Sequence, residues 1–361
     1  MSSATSGAAG RFYRPELDLL RFFAFMLVFG YHVLPAGGGL SFPAILRGAG
    51  GFGVSVFFLL SAYLITELLF REKTRTGAVD FKAFYIRRIL RIWPIYFLFL
   101  LAVAAIGLRF SSLRIPAPAL AAYFLLVGNW YGYLPSIAGP LWSIGVEEQF
   151  YLTWPFVMRS VSRVSVIWVS LALWAASQGS VLWLGYHKAI IYSKVWPNSF
   201  VHLQYFALGA LLSAILNGSQ PRFNAVVRSA MIAVGFSLIL LARAFMVVGH
   251  SIQKADIWHT CPDFALAGVG AATLFLGFLG MPCPEFARPL VTLGKISYGL
   301  YVYDPACLFA TSKLLHTRKP VATSVLALTM TVAVAYVSYR WLETPFLRLK
   351  KRFTSVRSRA I

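Results

Sequence analysis

Arg21 and His32 stand eleven residues apart in a stretch, Glu16 to His32, that otherwise reads as a membrane helix. Eleven steps of about 100° overshoot three full turns by about 20°, so both side chains project from one face. Along the axis they are separated by roughly 16 Å, about half of a hydrocarbon core. A fixed cation and a titratable imidazole inside an apolar helix are costly and mark a functional site by default. The imidazole suits general-base chemistry, since its charge changes near neutral pH. Asp18 lies three residues before Arg21, close enough to pair with it at the start of the helix.

A second anomaly is the run Leu141 to Leu152, which carries Trp142, Ser143, Glu147, Glu148 and Tyr151 within an apolar segment. Glu147 and Glu148 diverge by about 100°, so one faces the bundle interior and the other pairs elsewhere. A carboxylate at the depth of His32 would orient that imidazole and raise its basicity, and Glu147 is the candidate. A buried glutamate cross-linking two helices would leave the same trace. Third, Arg87, Arg88 and Arg91 cluster before Pro94. Arg88 and Arg91, one turn apart, suit the phosphates of a nucleotide-like donor, although anchoring of a helix end explains the charges without chemistry. No Walker loop, dinucleotide fingerprint, zinc motif or Gly-x-Ser-x-Gly elbow occurs, so no metal site and no serine-hydrolase chemistry is expected. Cys261, Cys283 and Cys307 show neither pairing nor ligand spacing and read as buried thiols.

These residues need elements to hold them, and composition decides which. Of 361 residues, 58% are hydrophobic and 12% charged, with a mean hydropathy of +0.70. A soluble domain carries roughly twice that charged fraction. The net charge of +21 sits mostly at the ends of apolar runs, which fits topology and anionic lipid head groups and gives no reason to expect nucleic acid. Ten runs are long enough to span: 17–36, 50–70, 91–109, 141–159, 164–185, 200–217, 227–249, 263–281, 293–315 and 322–345. A shorter one, 118–134, is broken by Gly128, Asn129 and Gly132 and reads as re-entrant.

The predicted fold is therefore an all-α polytopic membrane helical bundle of about ten transmembrane helices plus that re-entrant segment. Both termini are cytoplasmic, because Arg71 to Arg91 and the basic end from Lys350 to Arg359 then fall inside. Residues 1–14 form a disordered tail, 15–347 the membrane domain and 348–361 a basic cytoplasmic tail. Met1 to Gly10 and the Pro35-Ala36-Gly37-Gly38 break flank the first helix, which is too long for a cleaved signal. Outer loops fall at 37–49, rich in Gly and Pro, at 186–199 and at 250–262; the last two mix aromatic and polar residues, His250 among them, which a sugar-like acceptor and an interfacial belt explain equally.

Taken together these segments resemble acyltransferase family 3, the membrane O-acyltransferases of bacterial glycans and related acceptors. The resemblance covers nearly the whole chain. It rests on the Arg-x10-His helix, on Gly53 to Ile65, on Arg88, Arg91, Ile92 and Pro94, on Leu141 to Tyr151, and on Ile296, Ser297, Tyr298 and Tyr301. Each motif is weak alone, and five in family order are strong. Two departures stand out: Ala62 replaces the usual Gly, and Asp304 replaces the common His.

The resemblance implies transfer of an acyl group, acetyl by expectation, from cytoplasmic acyl-CoA to a hydroxyl of an extracytoplasmic carbohydrate, in a bacterial inner membrane. Acyl-CoA is then a co-substrate and no cofactor is permanently bound. Arg87, Arg88 and Arg91 would hold its phosphates, Arg21 would guide the arm, and His32 would act as base with Glu147 charging it. Asp18, Trp142, Ser143, Glu148, Tyr151, Ser297, Tyr298 and Asp304 would support the site. The sequence ends soon after its last apolar run, so any second transfer step is expected to need a partner protein. A glycan or lipid transporter using the buried charges as a proton path is the alternative.

Overall fold

A computed structural model describes residues 12–34, 41–131, 135–248, 254–315 and 320–354. Met1 to Gly10, the break at Pro35 to Gly38, His250 and the end of the basic tail lie outside them. Helix α1 is Pro15–Val33, α2 Phe42–Gly50, α3 Gly53–Thr76 and α4 Phe81–Arg109. Two short helices follow, α5 (Ala117–Phe124) and α6 (Gly128–Tyr131), then α7 (Leu141–Ser160), α8 (Arg163–Tyr186) and α9 (Ser199–Leu216). The chain continues through α10 (Ala225–Val248), α11 (Ile257–Phe278), α12 (Arg288–Lys295), α13 (Ser297–Leu315), α14 (Pro320–Ser338) and α15 (Thr344–Lys350). No strand occurs among the described residues.

Each of the ten long apolar runs falls on a long helix. Among the described residues, seven stretches are long and apolar enough to cross a membrane: Phe42–Thr76, Phe81–Arg109, Arg163–Tyr186, Ser199–Leu216, Ala225–Ala244, Ile257–Phe278 and Val321–Phe353. The protein is a multi-pass membrane protein. The other three long helices, α1, α7 and α13, are the ones that carry His32, Glu147 and Asp304. Chemistry and apolarity compete for the same positions. Within 118–134 the chain breaks at Leu126, where φ reaches +61°. An eight-residue helix such as α5 rises only about 12 Å, short of a bilayer core.

Helix α3 is the axis of the bundle, packed against α1 on one side and α9 on the other. Small residues set both approaches, as membrane helices require where backbones must touch. A Cβ at Gly53 would overlap the Ala24 carbonyl of α1, and one at Gly209 would overlap the Leu59 carbonyl of α3. At one end of the bundle Lys73 Nζ donates to the carbonyls of Met158, Arg159 and Val161 at 3.4, 3.0 and 3.0 Å. A cation there satisfies the last carbonyls of α7 and pins it to α3. Deeper in, Trp154 donates to Thr66 Oγ1 at 2.9 Å across the same pair of helices.

Candidate active site

Helices α1, α3, α4, α7 and α13 enclose a cavity of about 170 Å³. On α3 its lining runs from Glu72 through Leu68, Ile65 and Ser61 to Val54, one stripe at helical spacing. Eighteen residues of helix make that stripe about 27 Å long, so the cavity follows most of the bundle.

One end is rich in arginine: Arg14, Arg87, Arg88 and Arg91 line it, with Lys350. The neighbours Arg87 and Arg88 have different surroundings. Arg87 is buried, donates to Glu72 Oε2 at 2.9 Å and to the Phe353 carbonyl at 2.8 Å, and so ties α3 to the segment that follows α15. Arg88 lies over the rings of Phe84 and Tyr151 at 5.6 and 5.5 Å. Its Nε is buried without a hydrogen bond, and it forms no ion pair among the described residues. Arg21 is held by Asp18 at 2.8 Å, and both face the cavity.

Midway, Glu147 accepts hydrogen bonds from Ser61 and Tyr151, and all three line the cavity. Glu148 points away, buried, and accepts from Trp93 Nε1 at 2.9 Å. Pro155 and Pro305 lack the N–H that would bond the carbonyls of Tyr151 and Tyr301, so two cavity tyrosines sit at breaks in the helical ladder.

The lining stops at Val54, Ser143 and Tyr301. Ser143 Oγ lies 2.6 Å from Tyr301 Oη and 2.9 Å from the Pro140 carbonyl, to which it donates. A serine has one proton to give, so Tyr301 is the donor to Ser143. Tyr298, also in the lining, donates to the Ile92 carbonyl at 2.8 Å, and Ser297 lines the wall beside it. Trp142 does not reach the cavity; its ring packs near Trp196 and His202, at 6.3 and 5.3 Å.

One turn of α13 beyond Tyr301 is Asp304, whose side chain is 0% exposed and whose Oδ2 lies 2.6 Å from His32 Nδ1. The partner of His32 is therefore Asp304, and Glu147 is committed to Ser61 and Tyr151. With Nδ1–H donating to the carboxylate, Nε2 of a neutral imidazole carries the free lone pair. His32 remains 22% exposed, open to an incoming group. Asp304 Oδ1 is buried and makes no hydrogen bond among the described residues. The sequence treats Asp304 as a departure, yet a carboxylate continuing the stripe Ser297, Tyr301, Asp304 on an apolar helix is itself a signal. Ser61 and Tyr301 were legible only as parts of motifs. No cluster able to hold a metal ion occurs among the described residues.

O-acetyltransferase OatA of Staphylococcus aureus strain NCTC 8325 / PS 47 is 29% identical over 365 residues, covering 92% of this chain and 57% of the relative. OatA of strain COL matches to the same extent, 29% over 365 residues. The chain thus spans 57% of the length of these curated relatives. No solved structure matches. The family described as "Acyltransferase domain", acyltransferase family 3, matches residues 14–340. That match takes in α1, α3, α4, α7 and α13, and the chain belongs to this family.

Proposed function

We propose that the protein moves an acetyl group from acetyl-CoA, bound at the arginine-rich end, to a hydroxyl of a carbohydrate that arrives at the His32 end. In this reading the protein lies in a bacterial cytoplasmic membrane with the arginine-rich end inside. The observation that carries the proposal is the cavity itself, which runs from Arg88 and Arg91 to one turn short of the His32–Asp304 pair.

Arg88 supplies a cation that forms no ion pair among the described residues, and Arg91 a second one a turn away, a setting suited to phosphates. From Tyr151, beside Arg88, to Ser143 is about 12 Å of helix, a span that a pantetheine arm can follow. Glu147, part-way along, offers a carboxylate to an amide N–H of that arm. Asp304, not Glu147, is the positioning residue for the base, because it is the group that touches His32.

The chemistry then balances simply. The acceptor O–H gives its proton to His32 Nε2 as its oxygen attacks the thioester carbonyl. The tetrahedral intermediate collapses, the C–S bond breaks, and His32 returns the proton to the thiolate. Products are the O-acetyl ester and free CoA. Asp304 stabilises the imidazolium formed between the two steps.

The test is CoA release by purified protein from acetyl-CoA, with and without a hydroxylated glycan, in wild type and His32→Ala. Acceptor-dependent release that His32→Ala abolishes, with expression intact, supports the reading. Retained turnover in His32→Ala, or glycan flux without thioester consumption, overturns it.

A further inference from the structure

We propose that Tyr301 and Ser143 form an aperture that limits the transferred acyl group to about the size of acetyl. The proposal rests on the acyl-CoA reading above and deepens it by assigning donor specificity to named residues.

The cavity ends at this pair, and three helices converge there. Tyr301 comes from α13, Ser143 from α7, and the Phe57 ring of α3 faces the Tyr301 ring at a centroid distance of 5.9 Å. Both members of the pair are buried, Tyr301 at 8% and Ser143 at 3% exposure. The tyrosine is tethered as well as packed. Its hydroxyl donates to Ser143, which donates to the Pro140 carbonyl, so two hydrogen bonds in series anchor the ring to backbone.

Position gives this wall a consequence. Asp304 follows Tyr301 by three residues, so His32 operates about one turn, roughly 5 Å, past the aperture. A thioester carbonyl that His32 is to serve must lie at the aperture, with its acyl substituent directed at Tyr301 and Phe57. A methyl group fits against those rings. A longer chain must displace a tethered ring or occupy the approach that the acceptor hydroxyl needs. Forcing extra methylenes into a packed wall is destabilising, and here the cost falls on donor binding.

The experiment measures binding of CoA, acetyl-CoA and hexanoyl-CoA to purified protein in detergent. Each acyl-CoA value is normalised to the same variant's affinity for CoA, which has no acyl group. In the wild type hexanoyl-CoA should bind about tenfold more weakly than acetyl-CoA. Tyr301→Ala should bring the two close to equality. Ser143→Ala removes the tether while leaving the core volume nearly unchanged, and should relax the ratio part-way; it decides the matter if Tyr301→Ala does not fold. A wild type without length preference, or a ratio that folded variants leave unchanged, overturns the aperture alone. A wild type that does not bind CoA overturns the donor reading and the aperture with it.

Discussion

Asp304 on α13 holds Nδ1 of His32 on α1 at 2.6 Å, across 272 residues of sequence. The contact fixes which imidazole nitrogen is free, and it joins two of the long helices whose hydropathy is interrupted by charge. A buried carboxylate bearing on a partly exposed imidazole is the arrangement expected of a base that must hold a proton briefly and return it.

Asp304→Asn keeps the side-chain shape but removes the charge that stabilises an imidazolium. Turnover should fall about 10²- to 10⁴-fold, with KM for acetyl-CoA changed by no more than about twofold. In the His32→Ala background the same change should cost almost nothing further, since the two residues act as one unit. Independent losses that multiply in the double variant would show that Asp304 acts elsewhere.

Glu147 lies in the wall between Ser61 and Tyr151, and its consequence is a split between kinetic constants. Glu147→Gln should raise KM for acetyl-CoA about tenfold while kcat moves less, the signature of lost donor binding. Ser61→Ala should shift KM in the same direction by a smaller factor. A fall in kcat at constant KM would instead put Glu147 on the reacting atoms.

Much of the fold is legible because a bilayer leaves helices little choice: each of the ten apolar runs falls on a long helix. The one-face relation of Arg21 and His32 is likewise a property of a single helix and needs no tertiary knowledge. Partner choice is different. Nothing in the periodicity of α1 says whether His32 meets Glu147 or Asp304, because that depends on how α1, α7 and α13 pack. The neighbours Arg87 and Arg88 make the same point, since about 100° of rotation sends one to Glu72 and the other to the face of Tyr151.

Gly209 tests the packing of the bundle axis without touching the site. A methyl group there would meet the Leu59 backbone, which cannot yield as a flexible side chain would. Gly209→Ala should destabilise the fold by about 1–3 kcal/mol, visible as a lowered midpoint in thermal unfolding of the purified protein. An unshifted midpoint would mean that α3 and α9 sit farther apart.

Arg87 and Arg88 give the sharpest separation of stability from binding, because adjacent residues should fail in opposite ways. Arg87→Met strips Glu72 of its partner and the Phe353 carbonyl of its donor. Breaking a buried pair on one side costs about 3–5 kcal/mol, so the melting midpoint should drop whether or not CoA is present. Arg88 forms no ion pair among the described residues; Glu147 attracts it at longer range, but burial outweighs that attraction, and its Nε has no hydrogen-bond partner. Removing that cation relieves a desolvation cost, so Arg88→Met should melt at or above the wild-type temperature. What it loses is the phosphate contact. Charge-assisted bonds of this kind contribute about 1.5–3 kcal/mol, so CoA affinity should fall about tenfold to a hundredfold, and the wild type's salt dependence should flatten. Binding assays across a salt series, paired with thermal melts of the same preparations, read both quantities at once. If Arg88→Met melts lower and binds CoA normally, the cation serves the fold, and the phosphates must be held by other residues of the arginine-rich end.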